Sequence, residues 1–211
     1  MVCCSGTCAR PVCNSSADCD DNDKSTVDTC QNADSCDATC SHSQITSCTD
    51  SDGVCPDGCN VFNDNDCKAL SPGTAADSGN LQISVSNPYV QVCTSDYSED
   101  KDTYLVFEVN VENRGTKKEY ISSMEFSAVD PNRKQFDGSI LSYPTVFGGN
   151  CADAKNDAFS GGNLLPGSKD NGKIWIELSN TGSYSKGKWY IVYKQTFSLK
   201  DLYTVYETQL N

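Results

Sequence analysis

The sequence lacks an excess of basic charge, long apolar runs and more than one histidine. Its 211 residues include 16 Lys and Arg against 29 Asp and Glu, for a net charge of −13. Because this charge repels phosphate groups, we expect no nucleic-acid partner. No apolar run approaches the roughly 20 residues of a transmembrane helix, so we expect no transmembrane span. His42 is the only histidine, which excludes His-rich metal sites and leaves one candidate for Ser-His or Cys-His catalysis.

Recognisable catalytic motifs are lacking as well. The sequence contains no nucleophile elbow, no zinc-binding triad and no phosphate-binding glycine loop. We therefore predict a protein that is not an enzyme. No cofactor is assigned with certainty, and calcium is the one that the acidic residues suggest.

Cysteine, in contrast, is abundant and unevenly distributed. Only Cys93 and Cys151 follow residue 67, and Phe62 is the only aromatic residue before it. A segment so poor in large apolar side chains cannot bury enough surface to offset its chain entropy, so cross-links must stabilise it. The cysteines of this segment are Cys3, Cys4, Cys8, Cys13, Cys19, Cys30, Cys36, Cys40, Cys48, Cys55, Cys59 and Cys67.

Two kinds of cross-link compete in this segment. Zinc or an iron–sulfur cluster favours cysteines two to four residues apart, and the pairs Cys36/Cys40 and Cys55/Cys59 fit that spacing loosely. The sequence has no Cys-x-x-Cys pair, and most other spacings are long. The spacing therefore favours up to six disulfides, whose pairing it leaves open. Dense disulfides indicate an oxidising compartment.

The composition changes sharply after the cysteine-rich segment. Residues 68–80 are small and polar and include Pro72 and Gly73, which is typical of a linker. We predict a disulfide-stapled module at residues 1–67, a linker at 68–80 and a second domain at 81–211.

The first module is strongly acidic, and all its acidic residues are aspartates. Arg10 and Lys24 are their only basic counterparts, which leaves a charge of −10 on residues 1–67. Carboxylates at alternate positions can converge on calcium, which takes six to eight oxygen ligands. The alternative is that Asp and Asn only form turns. The candidate calcium ligands are Asp18, Asp20, Asn22, the Lys24 carbonyl and Asp28.

Two segments of the first module resemble known proteins. The stretch from Cys13 to Cys40, with Asp-Cys-Asp-Asp and Thr-Val-Asp-Thr-Cys, resembles cysteine-rich repeats of prokaryotic extracellular proteins. The stretch from Asp-Gly-Val-Cys to Asp-Asn-Asp-Cys is similar to units that end such arrays in archaeal surface proteins. The resemblance implies an extracellular location rather than an activity. In a secreted chain, Asn14-Ser15-Ser16 would be a glycosylation sequon.

The second domain shows the alternation of apolar and polar residues that strands with one buried face have. The clearest strand contains Leu105, Phe107, Val109 and Val111. About seven short strands with no amphipathic helix predict an antiparallel β-sandwich, and so an all-β chain. Asn87-Pro88 is expected to interrupt the first strand. The other strands are expected within residues 81–85, 90–92, 120–128, 174–178, 189–193 and 202–206.

Three segments of this domain carry a family resemblance. They are Tyr-Leu-Val-Phe-Glu-Val-Asn-Val-Glu-Asn-Arg-Gly, the serines before Met124-Glu125-Phe126, and Leu165-Pro166-Gly167 before Gly-Lys-Ile-Trp-Ile. Together they resemble the telokin-like, immunoglobulin-like domain of prokaryotic lipoproteins and surface proteins, over residues 81 to about 208. The resemblance implies an immunoglobulin-like sandwich with a non-catalytic, extracytoplasmic role. Cys93 and Cys151 depart from the pattern, and we predict that they pair.

The location and function follow from these features as expectations. Met1 is followed directly by Val2-Cys3-Cys4 without a leader pattern, and the cysteine usage favours a processed chain at the cell surface. One expected function is structural, as a subunit or ectodomain of a surface assembly such as a filament, with copies of itself or assembly proteins as partners. The alternative is a calcium-dependent adhesion or ligand-binding module.

Overall fold

The computed structural model describes residues 2–4, 7–56, 58–94, 101–139, 143–144, 149–179, 183–195 and 202–211. The side chains of residues 2–4, 7–9 and 202 lie outside this description. The chain divides into two compact units, Met1–Cys67 and Lys68–Asn211. No helix among the described residues is long and apolar enough to cross a membrane.

The first unit consists of two short antiparallel hairpins and loops. Its strands are β1 (Val2–Cys4), β2 (Thr7–Ala9), β3 (Thr26–Gln31) and β4 (Thr39–Gln44), with a 3-10 turn at Ser16–Cys19. Strand β1 pairs with β2, and β3 pairs with β4. Its buried cluster consists of Cys13, Cys19 and Ala38, with Cys30 and Cys40 packed against them. Disulfide sulfurs therefore occupy the position that apolar side chains hold in larger cores.

The second unit is an antiparallel β-sandwich, which confirms the predicted all-β fold. One sheet has the strand order β12-β7-β6-β5 and the other β10-β9-β13-β14, and β11 pairs with β8. The core between them includes Leu105, Phe107, Val109, Ile176 and Trp189. The strands are β5 (Ala75–Ser78), β6 (Leu81–Thr94), β7 (Lys101–Asn113), β8 (Glu119–Ile121), β9 (Phe126–Val129), β10 (Gln135–Asp137), β11 (Gly162–Leu164), β12 (Lys169–Ser179), β13 (Gly187–Gln195) and β14 (Leu202–Leu210).

The predicted linker at residues 68–80 is wrong, because this segment belongs to the sandwich. Strand β5 pairs with β6, and Leu70 forms a parallel bridge with Tyr206 of β14. The backbone can add an edge strand through its own N–H and C=O groups, whatever the side chains are. Small, polar side chains therefore did not distinguish an edge strand from a linker.

The interruption predicted at Asn87-Pro88 is an irregular register between Ser86 and Tyr89, with Asn87 at a left-handed φ of 49°, and β6 continues beyond it. One further strand prediction needs correction. Residues 120–128 do not form one strand, because a 3-10 turn at Ser123–Glu125 separates β8 from β9. The Ser122 hydroxyl accepts the N–H of Met124, and the Glu125 carboxylate accepts the N–H of Ser122. This capping box ends the strand.

Candidate functional site

Asp18 and Asp20, two of the predicted calcium ligands, bind the backbone of their own loop. The Asp18 carboxylate accepts the N–H groups of Asn14 at 2.8 Å and Ser15 at 3.1 Å. These backbone hydrogen bonds, led by that of Asn14, lower the pKa of Asp18. The Asp20 carboxylate accepts the N–H of Asn22 at 2.8 Å, and Asn22 has a φ of 62°. Both aspartates therefore act as turn formers in this structure.

Asp28, the last of the predicted set, instead faces the only histidine across the hairpin. Asp28 on β3 and His42 on β4 are register partners. The Nδ1 atom of His42 lies 2.7 Å from Asp28 Oδ1 and 3.4 Å from Asp21 Oδ2. The hydrogen bond to Asp28 raises the pKa of His42 above its ordinary value of 6.5. Lys24 lies in the turn before β3, which the hydrogen bond from Thr26 N–H to Asp23 C=O closes.

The structure thus does not bring the five predicted calcium ligands together. In the described part of the chain, two groups of three His, Cys, Asp or Glu side chains have their ligand atoms within 4.8 Å of one another. One group is Asp21, Asp28 and His42, and the other is formed by disulfide sulfurs. Of the predicted set, only Asp28 belongs to either group. Sequence reasoning missed Asp21 and His42 because their proximity depends on the pairing of β3 with β4.

A second acidic region lies further along, in the part of the first unit that two disulfides close. Residues 50–52 and 64–66 lie side by side and exchange hydrogen bonds. Asn65 N–H donates to Asp50 Oδ1 at 2.9 Å, and Asp52 N–H donates to Asp66 Oδ2 at 2.9 Å. Ser51 N–H donates to the side-chain oxygen of Asn65 at 2.8 Å. We call residues 50–56 and 58–66 the acidic loop.

Disulfides account for the cysteines whose side chains the structure describes. Cys36 is also disulfide-bonded, and no cysteine among the described side chains is free. Cys3, Cys4 and Cys8 were predicted to be paired, and they lie outside the described side chains. The described bridges of the first unit are Cys13–Cys30, Cys19–Cys40, Cys48–Cys59 and Cys55–Cys67.

In the sandwich, Cys93 pairs with Cys151 and fastens the end of β6 to the loop that follows β10. Both residues are buried in a second, smaller cluster that includes Trp175. Asn150 supports this attachment, because its side chain accepts the N–H of Thr94 and donates to the C=O of Val92, both at 2.8 Å. The Thr94 hydroxyl also donates to the Asn150 side chain at 3.3 Å. The loop is therefore held to β6 by a covalent bond and by the hydrogen bonds of Asn150.

Two surface features bear on contacts with other molecules. The predicted glycosylation site, Asn14, is exposed, and its amide lies 3.4 Å from Asp18 Oδ2. At the outer side of β14, Leu70 N–H donates to Val205 C=O at 2.7 Å, and Glu207 N–H donates to Leu70 C=O at 2.8 Å. Since alternate residues face the same side of a strand, the N–H of Gln209 also faces this edge. It has no backbone partner there among the described residues.

Comparison with known proteins gives a family match and structural similarities. Residues 71–185 match the model of a family described as a domain of unknown function, DUF4352. No curated protein sequence matches the chain. The secreted protein MPT63 from Mycobacterium tuberculosis is similar over 67% of this chain and 97% of its own, with 13% identity and a TM-score of 0.45. The YjhA protein from Bacillus subtilis is similar over 67% of this chain and 99% of its own, with 18% identity and a TM-score of 0.46.

Proposed function

The chain belongs to the DUF4352 family, and we propose that it is a non-catalytic structural protein of the cell exterior, acting as a subunit or ectodomain of a surface assembly. In this proposal the disulfide-rich first unit serves as a compact spacer or connector. The sandwich supplies the strand edges through which copies or partner proteins join, as in a filament.

The disulfides of the first unit are the main support for the proposed location at the cell exterior. The first unit has Cys13, Cys19 and Ala38 as its buried cluster, so its core consists largely of cross-links. A reducing cytosol would open these bridges and leave the unit without a core. These cross-links therefore support a protein that folds in, and remains in, an oxidising environment.

The contacts of the histidine and cysteine side chains support a non-catalytic role. The only histidine, His42, is engaged by Asp28 and Asp21 on the surface of a hairpin. The cysteines with described side chains are held in disulfides, so none of them offers a thiolate nucleophile. A Cys-His pair, the simplest catalytic arrangement open to this composition, thus lacks its thiolate among those residues.

The outer edge of β14 supports a role in assembly. A strand with unpaired backbone groups on one side can accept a strand from another molecule. Leu70 covers the middle of this edge and leaves the backbone of Gln209 without a partner among the described residues. We propose that the end of β14 is a point of strand addition.

Light scattering after size-exclusion chromatography, with negative-stain electron microscopy, tests assembly. The wild-type chain and a Gln209→Ala variant are expected to form oligomers as concentration rises. Gln209→Pro removes the outward N–H without removing a bond to β13 and should reduce assembly. Circular dichroism and the melting temperature verify that the variants fold. A wild-type chain that stays monomeric at all concentrations contradicts the proposal, and equal assembly by all three chains contradicts the role of this edge.

A calcium-dependent adhesion or ligand-binding module is the second candidate, and the strongly acidic first unit favours it. The two candidates differ in their response to calcium. Polymers that form with or without calcium support the structural role, whereas a monomer whose ligand binding requires calcium supports adhesion.

A further inference from the structure

Asp64, in the acidic loop, is buried to an extent that is unusual for a carboxylate. Its residue is 1% exposed. Its Oδ1 atom accepts the N–H of Asp66 at 2.9 Å. Its Oδ2 atom is buried and has no hydrogen-bond partner within the described part of the chain. The carboxylate is therefore shielded from bulk solvent, with one satisfied and one unsatisfied oxygen.

An unsatisfied, buried carboxylate oxygen is costly unless a cation compensates it. The sequence offers no lysine or arginine between Lys24 and Lys68. The histidine in this stretch, His42, is already bound to Asp28 at 2.7 Å. The compensating charge is therefore expected to come from outside the chain.

Side-chain oxygens lie close to Asp64 along the acidic loop. The side chains of Asp50, Asn65 and Asp66 accept backbone N–H groups within residues 50–52 and 64–66, which keeps their oxygens beside the Asp64 segment. The nearby cysteines are in the Cys48–Cys59 and Cys55–Cys67 bridges, so no thiolate is available from them. Oxygen donors from Asp, Asn and backbone groups favour a hard cation, and an irregular loop suits calcium better than magnesium.

We propose that Asp64 is the central ligand of a calcium site in the acidic loop. Asp64 belongs to neither group of three clustered metal-binding side chains. Amide, backbone carbonyl and water oxygens are therefore expected to complete the coordination, as calcium commonly accepts. The two disulfides across this loop limit how far the ligands separate without metal. This site is distinct from the predicted set around Asp18 and from the partnered Asp21–Asp28–His42 group.

Calcium titration of the full, oxidised chain tests the site. Isothermal titration calorimetry, extended to millimolar calcium because extracellular sites bind at roughly 0.1–1 mM, should give one bound ion per chain for the site. Asp64→Asn keeps the shape but removes the charge and should weaken binding by about tenfold or more, since ligand charge tunes calcium affinity. Asp37→Asn is the matched control, because Asp37 is exposed and lies in another loop of the same unit.

Amide hydrogen exchange of the wild-type chain, with calcium or with a chelator, provides a measurement that needs no variant. Calcium should slow exchange in residues 50–66 and leave residues 13–44 unchanged. Absence of calcium binding at millimolar concentration overturns the proposal. Equal binding by wild type and Asp64→Asn, or protection confined to residues 13–44, also overturns it, because the ion would then occupy another site. If Asp64→Asn does not fold, the hydrogen-exchange result alone decides.

Discussion

The hydroxyl of Tyr206 donates a hydrogen bond to the carbonyl oxygen of Ile83 at 2.8 Å and thereby joins the two sheets of the sandwich. Tyr206 lies on β14 and Ile83 on β6, and both residues are fully buried. Burial raises the pKa of Tyr206 to about 12, so the phenol remains a hydrogen-bond donor throughout the physiological range. The bond fixes the position of one sheet relative to the other.

Tyr206→Phe should lower the free energy of unfolding of the sandwich by about 1–2 kcal/mol, because it removes a buried hydrogen bond while keeping the ring. Urea unfolding followed by tryptophan fluorescence measures the change. Tyr203→Phe, on the same strand but half-buried, is the control and should change stability by less than about 0.5 kcal/mol. Equal losses of unfolding free energy in the two variants would contradict the role assigned to the Tyr206 hydroxyl.

Phe107→Ala should destabilise the sandwich by about 3–5 kcal/mol, as expected for a large-to-small change in a close-packed core. Phe107 is fully buried, and its ring centroid lies 6.0 Å from that of Phe126 on the opposite sheet. Met124→Ala, at a side chain that is 52% exposed, is the control and should have little effect. Chemical denaturation compares them, and a loss below about 1 kcal/mol for Phe107→Ala would contradict the core assignment.

The hairpin β3–β4 should be more stable at acidic than at alkaline pH because of His42. The pKa of His42 is raised in the folded state, chiefly by the hydrogen bond to Asp28. Its stabilising contribution is therefore complete below the unfolded value of about 6.5 and is lost as pH rises through the folded value.

Nuclear magnetic resonance titration of the His42 ring measures this effect. The pKa of His42 should lie above 6.5 in the wild type and fall in Asp28→Asn, because the main hydrogen bond to the imidazolium is weakened. Asp34→Asn, an exposed change elsewhere in the unit, should leave the pKa where it is. Equal pKa values of His42 in Asp28→Asn and in the wild type would contradict the assigned role of the Asp28 hydrogen bond.

Alternation of side chains was sufficient to predict the central strands but not the smaller ones. Leu105, Phe107 and Val109 lie in the core because one face of β7 is buried against the opposite sheet. Glu108 and Asn110 follow the alternation as polar residues, whereas Val106 is apolar and buried in the second cluster with Trp175. Strand β3 (Thr26–Gln31) also alternates in burial, but it packs on disulfides rather than apolar side chains and so carries no hydropathy signal. Edge strand β5 was missed for a related reason, since hydrogen bonding to β6 rather than apolar burial defines it.

The acidic sites were harder to predict than the fold. Alternate spacing selected Asp18 and Asp20, whose carboxylates bind nearby N–H groups. The burial of Asp64 depends on how residues 50–52 and 64–66 are brought together, and the Cys48–Cys59 and Cys55–Cys67 bridges define that arrangement. Since cysteine spacing does not determine disulfide pairing, the sequence alone could not distinguish a buried aspartate from a turn former.

Reduction should unfold the first unit and leave the sandwich folded. The first unit has a core of disulfides, whereas the sandwich has its own apolar core and one described bridge. Trp175 and Trp189 both lie in the sandwich, so tryptophan fluorescence reports on that unit alone, and limited proteolysis reports on residues 10–67. Added reductant should expose residues 10–67 to protease without a red shift of the tryptophan emission. Simultaneous loss of both units would contradict this difference.

The intact mass of the natively purified protein, measured after alkylation under non-reducing conditions, tests the central claim most directly. If the chain is a disulfide-stapled protein of the cell exterior, its cysteines will be unreactive, and its mass will be lower than that of the fully reduced chain by one hydrogen for each of the 14 cysteines. Alkylation of most cysteines in residues 1–67, or stoichiometric zinc bound to them, would contradict the claim.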